Sequence, residues 1–409
     1  MRKELQIVVV GGGAAGFMGA ITAAETFPNA HVILLEKSRH LLNKVKISGG
    51  GRCNVTNAAA TVSELVKGYP RGGKWLRPLL EIFSNQHTIE WFGKRGVILK
   101  TEPDGRMFPT TNTSATIVDC LIQAARKAGV EIRTSTGVVQ IKGQKEDFEL
   151  SSYSGEILHA DRVLITTGGY PQLESYDWIA EQGIEIIQPV PSLFTFNAPQ
   201  SPFHALAGVS VSHAAVKLTN SKLTETGPLL FTHWGVSGPA VLRLSAWGAR
   251  ELAQKKYEFT ALVNFVNQKP QPLTEQLQQM QRDTFWRNKY VISQAPFGLP
   301  QRLWQLVVSQ SHIPDTMRWT DLPAKNLNRL VENLSNWPLG VQGKTTFKEE
   351  FVTCGGVSLH DIHAPTLESK VVSGLFFAGE VLDIDGITGG YNFQAAWTTG
   401  YIAGKHLGA

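Results

Sequence analysis

The chain has 409 residues, more than one hydrophobic core usually holds, so we expect two or three domains. Hydrophobic residues make up 42% and charged residues 18% of it, proportions that exclude an intrinsically disordered chain. The three cysteines are too widely spaced for a disulfide framework or a metal-ligand motif, and the formal net charge is only +5.

The N-terminal segment resembles a membrane signal in one respect. Residues 5–24 contain no charged side chain, and Arg2 and Lys3 precede them as in a signal peptide. The segment also contains five glycines, three of them adjacent, which a membrane-spanning helix rarely tolerates. We therefore predict no membrane segment, and the few separated cysteines favour a cytoplasmic protein.

The first forty residues contain a glycine motif between a strand and a helix. Residues 6–10 are a β-branched apolar run, which predicts a buried parallel strand. Residues 11–16, Gly-Gly-Gly-Ala-Ala-Gly, fit the pattern G-x-G-x-x-G, and residues 17–27 then have a helical composition. A second strand, residues 31–35, leads to Glu36. This order predicts a dinucleotide-binding unit.

Each residue of the motif has a physical role in such a unit. Gly11 permits a tight turn, Gly13 lets a pyrophosphate approach the backbone, and Gly16 lets the helix pack closely on the strand. The helix N-terminus offers unpaired N–H groups to the phosphates. Glu36 can accept hydrogen bonds from a ribose diol, and its charge disfavours the 2′-phosphate of NADP.

A second glycine run follows in the sequence KISGGGRCNVTN, residues 46–57. Three consecutive glycines are costly to order, so a close approach of the backbone to a ligand would explain them. We expect Gly49, Gly50 and Gly51 to lie against the cofactor and Arg52 to reach a phosphate; the alternative is a flexible surface loop. Cys53 is interpreted as a packed thiol, because no neighbouring histidine could activate it.

Two later segments favour FAD over NAD. Residues 162–167 form an apolar strand that ends on Gly168 and Gly169, and residues 373–380 form another that ends on Gly379 and Glu380. NAD-binding domains normally complete their site within one half of a chain, whereas these pieces are separated by about 200 residues. An extended FAD would place its ribitol near Glu380 and its flavin ring at the start of a final helix, residues 392–407.

The middle of the chain has a different composition. Short β-type runs come first, and three helical stretches follow; they cover residues 192–196, 209–218, 229–232, 257–265, 273–283, 299–309 and 324–334. We predict an FAD-binding domain made of residues 1–190 and 346–409. The predicted insertion consists of a β-rich part, residues 191–270, and a helical part, residues 271–345. No second G-x-G-x-x-G unit is present, so we expect no dedicated nicotinamide domain.

Three side chains are candidates for catalysis. His233 follows a predicted strand and has the titration range of a proton donor, but it could equally fix its turn by hydrogen bonding. Arg106 could hold a substrate carbonyl or phosphate, or form an ordinary salt bridge. Tyr391 could cover the flavin or simply pack.

The chain resembles the BaiN/YhiN-type bacterial flavoproteins, also known as aminoacetone oxidase-like FAD-binding enzymes. The sequences that carry the resemblance are residues 9–16, 47–57 (ISGGGRCNVTN), 104–109 (DGRMFP), 231–239 (FTHWGVSGP) and 378–404. It implies an α/β fold: a Rossmann-like FAD-binding domain of the glutathione-reductase type, interrupted by an inserted β-barrel plus helical domain. The family usually continues its Thr-Gly-Gly with a longer glycine-rich run than the one after Gly169, which leaves the substrate open.

Motifs and resemblance together give the expected contacts of a non-covalent FAD: Gly11, Gly13, Ala14, Ala15, Gly16, Glu36, Lys37, Gly50, Gly51, Arg52, Cys53, Asn54, Thr167, Gly168, Gly379, Glu380, Asp385, Gly390, Tyr391 and Asn392. No metal is expected. The first hypothesis is an NAD(P)H-driven reductase of an activated C=C bond, with transient binding of NADPH or NADH. An aminoketone or amine oxidase using oxygen and a non-enzymatic redox partner are the alternatives.

The substrate is either a small unsaturated ring compound or a pyrimidine in ribosomal RNA. The RNA hypothesis depends on the insertion, residues 191–345, which has 15 Lys and Arg against 8 Asp and Glu and contains six of the ten tryptophans. Basic surface with aromatic side chains is what RNA binding uses. The alternative is that these tryptophans form a core.

Overall fold

The computed structural model describes residues 5–345 and 352–409. They fall into two compact units, one made of residues 5–192 and 352–409 and the other of residues 193–345. Elements are numbered along the whole chain, and each unit is described by itself.

A five-stranded parallel sheet forms the centre of the first unit. Its order is β20 (Leu375–Phe377), β10 (Arg162–Ile165), β1 (Leu5–Val10), β2 (Ala30–Leu35) and β6 (Glu131–Arg133). The inner strands are rich in Val, Ile and Leu with nearly all side chains buried, as a parallel sheet covered on both faces requires. The carboxyl ends of β1, β2 and β10 therefore lie at one edge, where ligands of open α/β sheets bind.

Two helices that pack against each other determine how the N- and C-terminal parts of this unit meet. They are α1 (Ala14–Thr26) and α13 (Tyr391–His406). A Cβ on Gly400 would lie 2.5 Å from the Ala15 carbonyl oxygen, and one on Gly404 would lie 2.6 Å from the Gly19 carbonyl oxygen. The two backbones touch at these glycines, so the position of α13 is fixed relative to α1.

Three small antiparallel sheets complete the strands of the first unit. They are β3 (Thr56–Asn57), β5 (Arg106–Pro109) and β4 (Leu99–Thr101); β7 (Val138–Gln144), β8 (Asp147–Ser152) and β9 (Ile157–Ala160); and β11 (Ile186–Ser192) with β19 (Val352–Val357). The remaining helices are α2 (Asn43–Gly51), α3 (Val62–Val66), α4 (Gly73–Ile82), α5 (Asn85–Gly93), α6 (Ala115–Lys127) and α7 (Asp177–Ala180).

The second unit is a seven-stranded antiparallel sheet with helices. The strand order is β17 (Trp337–Gln342), β16 (Glu258–Asn264), β13 (Ser210–Leu218), β14 (Thr224–Thr232), β15 (Gly235–Ser237), β12 (Thr195–Asn197) and β18 (Lys344–Thr345). Its helices are α8 (Pro239–Trp247), α9 (Ala249–Gln254), α10 (Pro270–Arg282), α11 (Gln301–Gln310) and α12 (Ala324–Ser335). The closed barrel expected for this region stays a prediction.

One feature of the second unit differs from the sequence-based expectation, and another agrees with the alternative interpretation of the tryptophans. Residues 271–345 are not wholly helical, because β17 and β18 follow α12 and join the sheet. The alternation of buried and exposed side chains in β17, which has the two-residue period of a strand, is the physical reason. Trp304 and Trp319 are fully buried and Trp337 is 7% exposed, so these tryptophans are core residues.

None of the helices in residues 5–345 and 352–409 is both long enough and apolar enough to cross a bilayer.

Candidate functional site

The first glycine motif has two packed glycines and one open one. Gly11 has φ +116°, and a Cβ there would lie 2.5 Å from the Thr166 carbonyl oxygen. A Cβ on Gly16 would lie 1.9 Å from the Gly11 carbonyl oxygen, so both positions require glycine. A Cβ on Gly13 would meet no atom of the described residues within 4 Å. Bare backbone therefore faces open space at the start of α1, whose first residues are Ala14 and Ala15.

Glu36 is held at the end of β2 by backbone groups. Its carboxylate accepts hydrogen bonds from the Gly12 N–H at 2.9 Å and the Ser38 N–H at 2.8 Å. Each carboxylate oxygen keeps a further lone pair for a ligand hydroxyl. Lys37 and Thr167 line the same cavity as Glu36, and Gly168, with φ +76°, follows Thr167.

The second glycine run is a turn of left-handed residues at the end of α2. Gly49, Gly50 and Gly51 have φ values of +58°, +68° and +82°. A Cβ on Gly49 would lie 2.8 Å from the Phe108 ring, whereas one on Gly50 or Gly51 would meet nothing within 4 Å among the described residues. Gly50 and Gly51 therefore present open backbone. Gly49 is packed against Phe108, so the alternative of a flexible surface loop does not describe it.

The two arginines expected near the site are paired with acids. The Arg52 Nη1 lies 2.6 Å from Glu102 Oε1, and its guanidinium lies 4.0 Å from the centroid of the Phe108 ring. Arg106 donates to Asp104 at 2.7 Å and to Glu102 at 3.2 Å. A phosphate contact for Arg52 and a catalytic role for Arg106 stay predictions.

Cys53 follows the glycine turn and is buried, with φ +60°. Burial raises the pKa of its thiol to about 12, although a hydrogen bond with Ser48 opposes the rise. The thiolate is therefore a minor form at neutral pH, as expected for a packed thiol rather than a nucleophile.

The polar end of the KISGGGRCNVTN segment holds the N-terminus of α13. When the Asn54 side-chain amide is oriented so that its nitrogen and its oxygen both form hydrogen bonds, the oxygen accepts from the Gly390 N–H at 2.9 Å. Asn57 donates to the Gly389 carbonyl at 3.1 Å, and Asn85 donates to the Asn57 carbonyl at 2.7 Å. The approach is close, because a Cβ on Gly390 would lie 2.4 Å from the backbone of Thr56.

Hydrogen bonds and ring packing also hold the turn that precedes α13. Asn392 accepts from the Gly386 N–H at 2.8 Å and donates to the Gly386 carbonyl at 3.0 Å. The Tyr391 ring packs edge-on against Tyr69 at a centroid distance of 5.7 Å, and the Tyr69 hydroxyl donates to the Tyr391 carbonyl at 2.8 Å. Packing of Tyr391 is thus shown; its contact with a flavin stays a prediction.

Two acids near the C-terminus are paired with cations. Glu380 accepts from the Lys44 ammonium at 2.7 Å and from the Thr353 N–H at 3.0 Å, and the preceding Gly379 has φ +79°. Asp385 is fully buried. The Arg71 Nε donates to it at 2.5 Å, as does the Ser192 hydroxyl at 2.7 Å. Burial raises the pKa of Asp385, while the Arg71 guanidinium opposes that rise.

His233 belongs to the second unit. It is exposed in the turn between β14 and β15, where the Thr232 hydroxyl accepts a hydrogen bond from the Gly235 N–H at 3.1 Å. Thr232 thus supplies the turn contact that the alternative interpretation assigned to His233. A catalytic role for His233 stays a prediction.

Sequence reasoning missed four side chains that organise the site: Lys44, Arg71, Asn57 and Asn85. Asn57 lies inside a segment already singled out, so the polar run after the glycines was an available signal. The sequence gives no signal for Lys44, Arg71 and Asn85. Their partners are Glu380, Asp385 and the Asn57 carbonyl, which are known only once the chain is folded.

The geometry fits an extended dinucleotide. Open backbone at Gly13, Gly50 and Gly51 leaves room for a ligand at each of these positions, and Glu36 borders a cavity of about 420 Å³ at the sheet edge. No cluster of three or more His, Cys, Asp or Glu that could hold a metal occurs in residues 5–345 and 352–409. Fold and site define a Rossmann-like, FAD-dependent oxidoreductase.

The particular family follows from comparison with known proteins. The family model of the HI0933-like protein Rossmann domain matches residues 5–406, so the chain belongs to that family. This confirms the resemblance that the motifs indicated.

Two relatives match this chain over nearly the full length of both proteins. A 3-dehydro-bile acid delta(4,6)-reductase of Clostridium scindens is 28% identical over 98% of both chains. A ribosomal RNA dihydrouridine synthase of Escherichia coli is 28% identical over 99% of this chain and 98% of its own. The solved structure of 3-ketosteroid-delta4-(5alpha)-dehydrogenase from Rhodococcus jostii RHA1 superimposes with a TM-score of 0.50 at 14% identity, covering all of this chain and 97% of its own, which supports the fold alone.

Proposed function

We propose that this chain reduces a carbon–carbon double bond conjugated to a carbonyl group, with NADPH or NADH as the electron donor. The donor loses a hydride and becomes NADP⁺ or NAD⁺. The substrate gains that hydride and one proton, so that its C=C bond becomes a CH–CH bond. FAD, when bound, supplies the hydride relay between donor and substrate.

The observation that carries the proposal is the fixed N-terminus of α13. Asn54 accepts from the Gly390 N–H and Asn57 donates to the Gly389 carbonyl, so the turn that leads into α13 is held in place. A helix N-terminus carries a partial positive charge of about half an elementary charge and favours negative charge beside it. A helix N-terminus held in this way favours an electron-rich ligand at that point, such as a reduced flavin.

The names of the two full-length relatives point to the same chemistry. A delta(4,6)-reductase acting on a 3-dehydro compound reduces double bonds conjugated to a ketone, and a dihydrouridine synthase reduces the ring C=C of uridine. Both describe loss of a C=C bond in a ring with a carbonyl. This shared reaction, rather than either substrate, is what we carry over to this chain.

The reaction also needs a proton donor at the carbon that does not receive hydride. We propose His233, because an imidazole can serve as a general acid and the ring is exposed in the turn after β14. Tyr391 is the alternative donor; its ring is half-buried and packs against Tyr69.

Anaerobic stopped-flow spectroscopy tests the reaction. The flavin absorbance should bleach rapidly with NADPH or NADH and return when a conjugated enone is added, whereas oxygen should restore it slowly. Bleaching by an aminoketone, followed by fast reoxidation with oxygen, would instead establish the oxidase. If neither a nicotinamide nucleotide nor an amine reduces the flavin, the result would favour the alternative of a non-enzymatic redox partner.

A uridine in RNA is a second candidate substrate, favoured by one surface of the second unit. Arg282, Phe285, Arg287 and Tyr290 are exposed there, and the Lys289 ammonium lies 3.2 Å from the centroid of the Phe285 ring. The unit as a whole has a formal charge of +7. Exposed rings beside cations suit base stacking and phosphate contact.

Salt-dependent binding of a structured, uridine-containing RNA tests this substrate. Replacing Arg282, Arg287 and Lys289 by Ala should weaken binding and reduce the slope of log Kd against log salt by about 2–3, since each lost phosphate contact removes nearly one unit. The matched control replaces the exposed Lys217, Lys222 and Lys269 of the same unit. Equal effects of the two triple variants, or no binding at low salt, would exclude this surface as an RNA site.

A further inference from the structure

The segment DGRMFP, residues 104–109, packs against the glycine turn of residues 49–51. Its last four residues form β5, which pairs with β3 shortly after that turn. Phe108 is fully buried in β5, and a Cβ on Gly49 would lie 2.8 Å from its ring. The Phe108 ring is therefore in direct contact with the first glycine of the turn.

Two arginines share one carboxylate beside this ring. Arg52 donates from Nη1 to Glu102 Oε1 at 2.6 Å, and Arg106 donates from Nη2 to Glu102 Oε2 at 3.2 Å. The Arg52 and Arg106 guanidinium groups lie 4.0 Å and 5.5 Å from the centroid of the Phe108 ring. The Glu102 side chain is only 22% exposed, so this network is better fixed than an ion pair in open solvent.

A buried serine holds the other side of the turn. The Ser114 N–H donates to the Gly51 carbonyl at 2.8 Å, and the Ser114 hydroxyl donates to the Lys46 carbonyl at 2.6 Å. Three consecutive glycines would otherwise sample many backbone conformations. Contacts on both sides therefore select the left-handed conformation that all three glycines adopt.

We propose that Arg52, Glu102 and Arg106 are positioning residues for the cofactor. Together with Phe108 they hold residues 49–51 in the conformation that binds FAD, so that less backbone entropy is lost on binding. Arg52 then acts through Glu102 and Phe108 rather than through a phosphate contact. The proposal rests on the contact between this turn and FAD that the family resemblance implies, and it is independent of the reaction proposed above.

Glu102→Gln separates positioning from phosphate contact, because the two roles predict opposite signs. If Arg52 bound a phosphate, removing the nearby carboxylate charge would strengthen FAD binding or leave it unchanged. If Arg52 is a positioning residue, the same variant should raise the Kd for FAD about 5- to 30-fold, since the backbone of about one residue must then be ordered on binding.

Arg52→Lys keeps the positive charge but loses the flat guanidinium that fits both Glu102 and Phe108. It should raise the Kd for FAD by a similar factor. The double variant Arg52→Lys/Glu102→Gln should bind FAD no more weakly than the weaker single variant, because both changes act on one network.

Arg95→Lys is the matched control. Arg95 also stacks on a ring, that of Trp91 at 3.7 Å, and it also donates to a carboxylate, that of Glu25 at 2.7 Å. These partners belong to α5 and α1 instead of the glycine turn. The Kd for FAD should therefore stay within about twofold of the wild-type value, as expected for a change distant from the turn.

Titration of the apoprotein with FAD gives these Kd values. Where a variant yields no stable apoprotein, FAD should leave its holoenzyme faster after dilution by the same factor. In the Glu102→Gln apoprotein, the amides of residues 49–51 should exchange hydrogen faster than in wild type, while exchange in the parallel sheet stays unchanged. An FAD affinity of Glu102→Gln equal to or higher than that of wild type would overturn the proposal, as would equal losses in Arg52→Lys and Arg95→Lys.

Discussion

Replacing Gly13 by Val should separate cofactor binding from folding. Gly13 precedes α1 with φ −93° and ψ −168°, a backbone that any residue adopts. Its Cβ would meet no atom of the described residues within 4 Å. The apoprotein should therefore lose only about 1 kcal/mol of unfolding free energy, because valine is a poorer N-cap residue than glycine.

The effect on FAD should be far larger. A valine side chain would occupy the space through which a pyrophosphate approaches the N–H groups of α1. Loss of two hydrogen bonds to a charged group costs about 3–6 kcal/mol, which predicts at least a 100-fold rise in the Kd for FAD. The Kd follows from titration of the apoprotein with FAD, and the unfolding free energy from urea denaturation.

Gly16→Ala is the contrasting variant. Its Cβ would lie 1.9 Å from the Gly11 carbonyl oxygen and 2.7 Å from the Thr166 hydroxyl oxygen, so the backbone must move. We expect it to destabilise the apoprotein by about 3 kcal/mol or more. Wild-type FAD affinity in Gly13→Val, or equal destabilisation by the two variants, would refute the assignment of the open and packed glycines.

Three further variants probe the site. Arg71→Ala should lower the unfolding free energy by about 3–5 kcal/mol, since it leaves the buried Asp385 carboxylate without its cation, and a stability within 1 kcal/mol of wild type by urea denaturation would contradict this. Because burial raises the pKa of Cys53 from 9.0 to about 12, its neutral thiol stabilises the fold fully below pH 9, and this contribution is lost as the pH rises to about 12. The unfolding free energy of Cys53→Ala should therefore fall less than that of the wild type between pH 9 and about 12. Equal falls in the two proteins would exclude the effect. His233→Ala should keep its flavin and slow substrate reduction about 10²- to 10⁴-fold without slowing flavin reduction, whereas unchanged rates in both half-reactions would show that His233 is not the proton donor.

The parts of the fold with a strong local pattern could be predicted from sequence. The strand, glycine turn and helix from Leu5 to Thr26 lie within three residues of the expected bounds, and the last helix begins one residue early at Tyr391. These segments combine β-branched runs, required glycines and small helix residues, so local propensity and tertiary packing agree.

The rest of the site could not be predicted because it depends on contacts between distant segments. Arg71 and Asp385 are 314 residues apart, and nothing in the sequence near either one indicates the other. The strand Trp337–Gln342 was missed because it follows three helical segments, although its alternating pattern is clear in isolation. The role of Asn54 at the start of α13 likewise required the folded chain.

A single anaerobic turnover tests the central claim most directly. The enzyme is reduced with one equivalent of NADPH or NADH and mixed with either a 4-en-3-oxo steroid or a uridine-containing RNA. We expect one of these two probes to reoxidise the flavin faster than oxygen does, and the product to contain two more hydrogen atoms by mass spectrometry. Reoxidation by oxygen alone, with both probes recovered unchanged, would contradict the assignment of this chain as a reductase of conjugated C=C bonds.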